Sequence, residues 1–275
     1  MKIDSHHHFW RYTVEDYGWI DDAMDDIRRD FLPEHLHLTI VKAGVDAVIS
    51  VQARQTIEET TWLLELARQN KFIHGVVGWV PLVEADVSKH LEKFVANPKF
   101  KSVRHVVQGE PDPNFILRED FNHGIRALRP FDLAYDILIF EHQLPKTIAF
   151  VDRHPEQRFI VDHLAKPRVK AGVLSPWREN LRELARRPNV WCKLSGAVTE
   201  ADYHAWTEES LQPYLETALE IFGADRLMFG SDWPVCLVAC EYRRWVDLVG
   251  RFIARLSPDE QEKFWHTNAR MAYRC

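Results

Sequence analysis

The sequence predicts an α/β protein built as a (β/α)8 barrel, a distorted TIM-like barrel, and three observations carry that prediction. Short apolar, β-branched runs recur about every thirty residues, eight in all. Stretches with helical spacing lie between most of them. No G-x-G-x-x-G or P-loop turn interrupts the series, which sets aside the open doubly wound sheet as the main alternative.

The runs span residues 2–5, 46–51, 75–80, 102–107, 133–140, 159–162, 190–194 and 227–230. Most are near-continuous in apolar residues, as strands of a parallel sheet buried on both faces must be. The longest irregular stretch, residues 10–32, follows the first strand and holds Trp10, Tyr12, Tyr17 and Trp19 among acidic residues. Packing over the barrel rim is their expected role, with stacking on a sugar-like ligand as the alternative. Pro33 ahead of Leu36, with Gly44 beyond, marks a helix. Thr56 with Glu59 reads as a capping box that opens the next. Val87, Leu91, Phe94 and Val95 recur at helical spacing, as do Leu211, Leu215, Ala218 and Phe222. Ser257, Pro258 and Glu260 give an N-cap with proline at the first helical position.

A chain of 275 residues exceeds a typical domain, but such barrels run to about 250 residues as one unit, so one domain over 1–275 is expected. Hydrophobic residues make up 46% and charged residues 28%, enough for a large core and too apolar for disorder. The net charge of −6 comes with no basic run, which argues against nucleic acid and against an anionic membrane. No membrane-length apolar run and no charged leader before an apolar core are present, so a cytoplasmic protein is expected. Cys192, Cys236, Cys240 and Cys275 show no Cys-x-x-Cys spacing and read as reduced thiols. Cys236 and Cys240 can meet on one helix face, a minor metal candidate.

The segment from Ile3 to Trp10 carries His6 and His8 on alternate residues, which leave an extended strand on the same face. A purification tag is set aside, because three histidines are few and aromatic residues follow them. At a barrel mouth, two neutral imidazoles suit a metal ion or a reacting carbonyl oxygen. Asp232 stands just beyond the eighth run, and in a closed barrel the eighth strand lies beside the first. Topology therefore brings Asp232 to His6 and His8. His163 ends the sixth strand, His142 follows the fifth, Arg104 and His105 lie on the fourth, and Lys193 and Ser195 end the seventh. Gln52 and Trp79 stand near the ends of the second and third, and Lys166 precedes Pro167. For any one of these a solvated or packed role is the plainer reading; for His6, His8, His163 and Asp232 together, function is favoured.

The chain resembles the amidohydrolase superfamily, and within it the amidohydrolase-2 branch that holds sugar-acid and pyrone lactonases. The resemblance spans essentially the whole length. It rests on Asp4-x-His6-x-His8-x-Trp10, on Asp162-His163-Leu164-Ala165-Lys166-Pro167, on Lys193-Leu194-Ser195-Gly196 and on Gly230-Ser231-Asp232-Trp233-Pro234, with Gln143-Leu144-Pro145 and Asn268-Ala269 as weaker echoes. It implies a distorted barrel that hydrolyses a sugar lactone, such as L-fucono- or L-rhamnonolactone, to the aldonic acid. His6, His8, His163 and Asp232 are then the metal ligands, with Asp232 activating water and Arg104, His142 and His163 as further catalytic candidates. Lys166, Gln52 and Trp79 are the substrate-binding candidates. Binuclear relatives bridge two metals through a carboxylated lysine or glutamate on strand four, and the segment Ser102-Val103-Arg104-His105 offers neither. At most one divalent ion is expected, zinc foremost, and action without metal is the alternative. The expected partner is a small-molecule sugar lactone, with a homo-oligomer left open. The competing readings are a zinc-dependent non-oxidative decarboxylase of an aromatic or unsaturated acid and a non-catalytic sugar-acid binding barrel.

Overall fold

Eight parallel strands follow chain order around one sheet: β1 (Ile3–His7), β2 (Ala47–Val51), β3 (Ile73–Gly78), β4 (Phe100–His105), β5 (Ala134–Ile137), β6 (Phe159–Val161), β7 (Val190–Leu194) and β8 (Leu227–Phe229). The computed structural model describes residues 1–275. The helices are α1 (Pro33–Ala43), α2 (Ile57–Gln69), α3 (Val87–Val95), α4 (Glu119–Leu128), α5 (Leu144–Asp152), α6 (Trp177–Ala185), α7 (Glu208–Arg226), α8 (Tyr242–Ile253), α9 (Pro258–Glu262) and α10 (Asn268–Tyr273). A (β/α)8 barrel is the result. No helix is long and apolar enough to cross a membrane.

The ring closes without a ladder. A single bridge joins His7 to Trp233, just past β8. Asp232 N donates to His6 O at 2.8 Å and His8 N donates to Trp233 O at 2.7 Å. The seam therefore sits at the level of the imidazoles, and it delivers Asp232 to them.

The barrel interior has an apolar floor and a polar upper layer. Ile3, Ala47, Ile49, Val51, Val77, Ala134, Ile160 and Met228 form the floor, sealed from below by Ala269, Ala272 and Tyr273 of α10. Above it stand His6, Arg104, Asp136, Asp162 and Lys193, all buried. Ile3 and His6 lie an odd number of residues apart yet both join this interior. A one-residue slip normally sends a side chain to the opposite face. Here β1 bulges between Asp4 and His7, taking three steps against two in β2, and the parity is reset. Asp4 and His7 turn outward, Asp4 accepting from Tyr242 Oη of α8 at 3.1 Å and His7 resting on Ser50 Oγ at 2.9 Å.

Several boundaries differ from expectation. β3 and β4 each begin two residues before the predicted runs, because His74 and Lys101 break the apolar pattern while the backbone ladder continues. β5 stops at Ile137 rather than at residue 140, where Leu138 O already accepts from Gln108 N at 3.2 Å. Thr56 caps α2, accepting from Glu59 N at 3.1 Å, but the Glu59 carboxylate bonds Ala53 N and Arg54 N instead of completing the box. Ser257 and Glu260 do form both halves of theirs. In residues 10–32 the aromatic residues pack on one another: Trp10 is fully buried against Tyr17, Trp19 and Phe31, and it exchanges backbone bonds with Phe31. Cys236 and Cys240 are free, buried thiols one short turn apart.

Candidate active site

Three imidazoles surround one carboxylate oxygen. Asp232 Oδ1 lies 3.5 Å from His8 Nε2, 3.7 Å from His6 Nε2 and 3.8 Å from His163 Nε2. His8 Nδ1–H donates to Val51 O at 2.8 Å, so its Nε2 lone pair faces Asp232. His163 Nδ1 lies 2.9 Å from Ser195 Oγ, which holds the ring from behind.

The backbone that presents His163 and Asp232 is unusual. His163, Leu164, Ala165 and Lys166 have φ of 52°, 56°, 57° and 49°, and Asp232 has φ of 60°. Left-handed conformations outside glycine cost of order 1–3 kcal/mol each and persist only where surroundings enforce them. Gly196, at φ 69°, is the neighbour that makes room for this turn. A Cβ there would stand 2.7 Å from Cβ, Cγ and Nδ1 of His163, so glycine alone leaves room for the ring.

Beneath the cluster is a buried charge network. Arg104 Nη1 donates to Asp162 Oδ2 at 2.9 Å, and Arg104 Nη2 donates to Gln52 Oε1 at 3.0 Å and to Gln52 O. Lys193 Nζ lies 2.8 Å from Asp162 Oδ1, 2.5 Å from Asp136 Oδ2 and 3.0 Å from His6 Nδ1. Asp136 also accepts from Ser102 Oγ at 2.6 Å and from Tyr273 Oη at 2.6 Å.

Burial favours neutral imidazoles. It pushes His163 down to about 4, and with Lys193 nearby it holds His6 well below the ordinary histidine range; His8 is lowered too, again by burial first. For Asp232, burial pushes upward, but His163 and His8 outweigh it and the carboxyl ends below its usual value. An ionised carboxylate among neutral imidazoles is a metal-binding or water-orienting arrangement.

Of the residues singled out in the sequence, His6, His8, His163, Asp232 and Arg104 converge. Gln52 is buried with its side-chain oxygen committed to Arg104, so it braces that guanidinium. Lys166 stands at the mouth, 3.6 Å from Glu200. Trp79 is half-buried and donates from Nε1 to His105 Nδ1 at 3.4 Å. His142 lies apart: it is exposed, stacked on Phe140, and makes no contact with the cluster. Sequence reasoning passed over Asp136 and Glu200, and noted Asp162 and Lys193 without giving either a role. The available signal was a charged residue inside an otherwise apolar strand, which a two-sided strand carries only at a cost.

His6, His8 and Asp232 each offer one ligand atom, and these atoms lie within 4.8 Å of one another; His6, Asp162 and His163 make a second such group. Two nitrogens and one oxygen with a position left open suit a catalytic divalent ion of the zinc type. Fold and site together define a barrel hydrolase whose mouth carries a His/Asp cluster able to hold a divalent metal. The chain belongs to the amidohydrolase family, whose model matches residues 3–275. It is 41% identical to an L-fucono-1,5-lactonase of Burkholderia multivorans over 99% of this chain and 96% of that protein. It is 36% identical to an L-fucono-1,5-lactonase of Burkholderia ambifaria over 100% of this chain and 96% of that one. A crystal structure of a Burkholderia multivorans amidohydrolase with bound zinc matches 100% of this chain and 99% of its own, at a TM-score of 0.96 and 41% identity.

Proposed function

We propose that this protein hydrolyses a sugar lactone, with L-fucono-1,5-lactone as the first substrate to test. The observation that carries the reading is the Asp232 carboxylate held within 3.5–3.8 Å of three neutral imidazoles at the barrel mouth. Full-length kinship to two proteins named L-fucono-1,5-lactonase favours ring opening over decarboxylation. A cytoplasmic setting is part of the proposal, supported by four free thiols.

Hydrolysis requires a polarised carbonyl, a deprotonated water and a protonated leaving oxygen. Asp232 is the group positioned to take the water proton and to return it to the ring oxygen as the lactone opens. A free aspartate, with a pKa near 3.9, is a weak base toward water, so the water has to be activated as well. A divalent ion held by His6, His8 and Asp232, with His163 alongside, would supply that activation by lowering the pKa of water towards about 7. His163, braced by Ser195, stays neutral and points Nε2 at the reacting centre. Arg104 contributes a fixed positive charge beneath the centre, where an oxyanion develops. Lys166 and Glu200 at the mouth offer a donor and an acceptor to substrate hydroxyls.

Acid release from L-fucono-, L-rhamnono-, L-arabino- and D-galactonolactones, followed with a pH indicator with and without chelator, tests the reading. Turnover of at least one lactone is expected. Gas evolution from an aromatic acid with no lactone turned over would replace it with the decarboxylase reading.

A further inference from the structure

We propose that Lys193 is a positioning residue that fixes the proton of His6 on Nε2, so that a divalent ion must displace an internal hydrogen bond before His6 can ligate it. An ammonium group has three donors and no acceptor. Lys193 Nζ donates to Asp136 Oδ2 and, at 3.0 Å, to His6 Nδ1, and it forms an ion pair with Asp162 Oδ1 at 2.8 Å. His6 Nδ1 is therefore an acceptor, and a neutral His6 carries its hydrogen on Nε2.

The other side of the ring agrees. His6 Nε2 lies 3.1 Å from His8 Nε2. His8 Nδ1–H is spent on Val51 O at 2.8 Å, so His8 Nε2 is a lone pair. A hydrogen on His6 Nε2 satisfies that lone pair, whereas two facing lone pairs would repel. The line from Lys193 through His6 to His8 is thus consistent at each link. Arg104 Nη1, itself only a donor, approaches the same Nε2 at 3.4 Å and competes with a hydrogen there, but this contact is longer than the 3.1 Å to His8 and the 3.0 Å to Lys193.

His6 has a second state available. Its Nδ1 lies 3.3 Å from Asp162 Oδ1, the carboxylate–imidazole pairing that frees Nε2 for a metal. Lys193 occupies the same oxygen at 2.8 Å and so competes with that pairing. Charged groups this deeply buried give little net stability, which leaves control of the ring as the plainer reason for the lysine.

Histidine side-chain nitrogen NMR on the metal-free wild-type protein reads the tautomer directly. The expected spectrum has His6 protonated on Nε2, and a spectrum with His6 protonated on Nδ1 overturns the proposal whether or not any variant folds. Calorimetric titration with zinc then compares wild type with Lys193→Met. The variant should move the hydrogen to Nδ1, facing Asp162, and bind zinc about 10-fold or more tightly, the lower end of effects traced to outer partners of metal-ligating histidines. Tighter zinc binding with an unmoved tautomer would mean that Lys193 acts by charge alone, and unchanged or weaker binding would remove its role; either result rejects the proposal. Both readouts are independent of lactone turnover, so they stand apart from the proposed activity.

Discussion

At the scale of single residues, side chains were legible from sequence when they carried a motif and illegible when burial alone gave them a role. His6, His8, His163 and Asp232 sit in short patterned segments, and they converge. Asp136 and Lys193 lie within strands that read as hydrophobic, and their partners, each other together with Ser102, Tyr273, Asp162 and His6, come from other parts of the chain. His142 had the right residue type at a strand end and faces solvent. Glu59 shows how environment overrides identity. Burial pushes its carboxyl up to about 7, even though Ala53 N and Arg54 N both donate to Oε1. A carboxyl whose folded pKa is raised favours the native state least once pH exceeds that value, so stability is lost as pH climbs from about 4.5 to 7. Glu59→Gln keeps an oxygen acceptor and removes the ionisation. Its unfolding free energy in urea should match wild type near pH 4.5 and exceed it at pH 8 by on the order of 2–3 kcal/mol. A difference independent of pH would refute the assigned burial effect.

At the scale of elements, strand and helix identity followed from periodicity, whereas the features that aim the site did not. A β-bulge leaves no mark in the all-polar run Asp4-Ser5-His6-His7-His8, yet it decides that Ile3 and His6 share the interior. The left-handed turn over His163–Lys166 is equally silent, since none of those four residues is glycine. Its partner position does carry a glycine, and the close approach of Gly196 to His163 accounts for it. Gly196→Ala should push the His163 ring off Asp232 and lower kcat on the preferred lactone about 100-fold, since a displacement of about 1 Å in a site costs that much. Circular dichroism should show an intact fold. A variant with wild-type kcat would mean that the His163 position does not matter to turnover.

At the scale of the whole molecule, one topological fact organises the site. Residues more than two hundred positions apart meet because the chain winds once around a ring and its last strand returns beside its first. That closure was legible from the count of apolar runs; the seam itself, made by backbone bonds of Asp232 and His8 instead of a ladder, was not. The C-terminal helix adds a floor that its sequence only hinted at, with Tyr273 reaching Asp136 beneath the polar layer. The proposed hydrolysis depends on Asp232 handling the proton of the attacking water inside this ring. The most direct test is the steady-state kcat of Asp232→Asn, folded by circular dichroism, on the lactone that wild type turns over best. A loss of about 10²- to 10⁴-fold is predicted, the range for a general base, and a variant that hydrolysed that lactone at the wild-type rate would contradict the assignment.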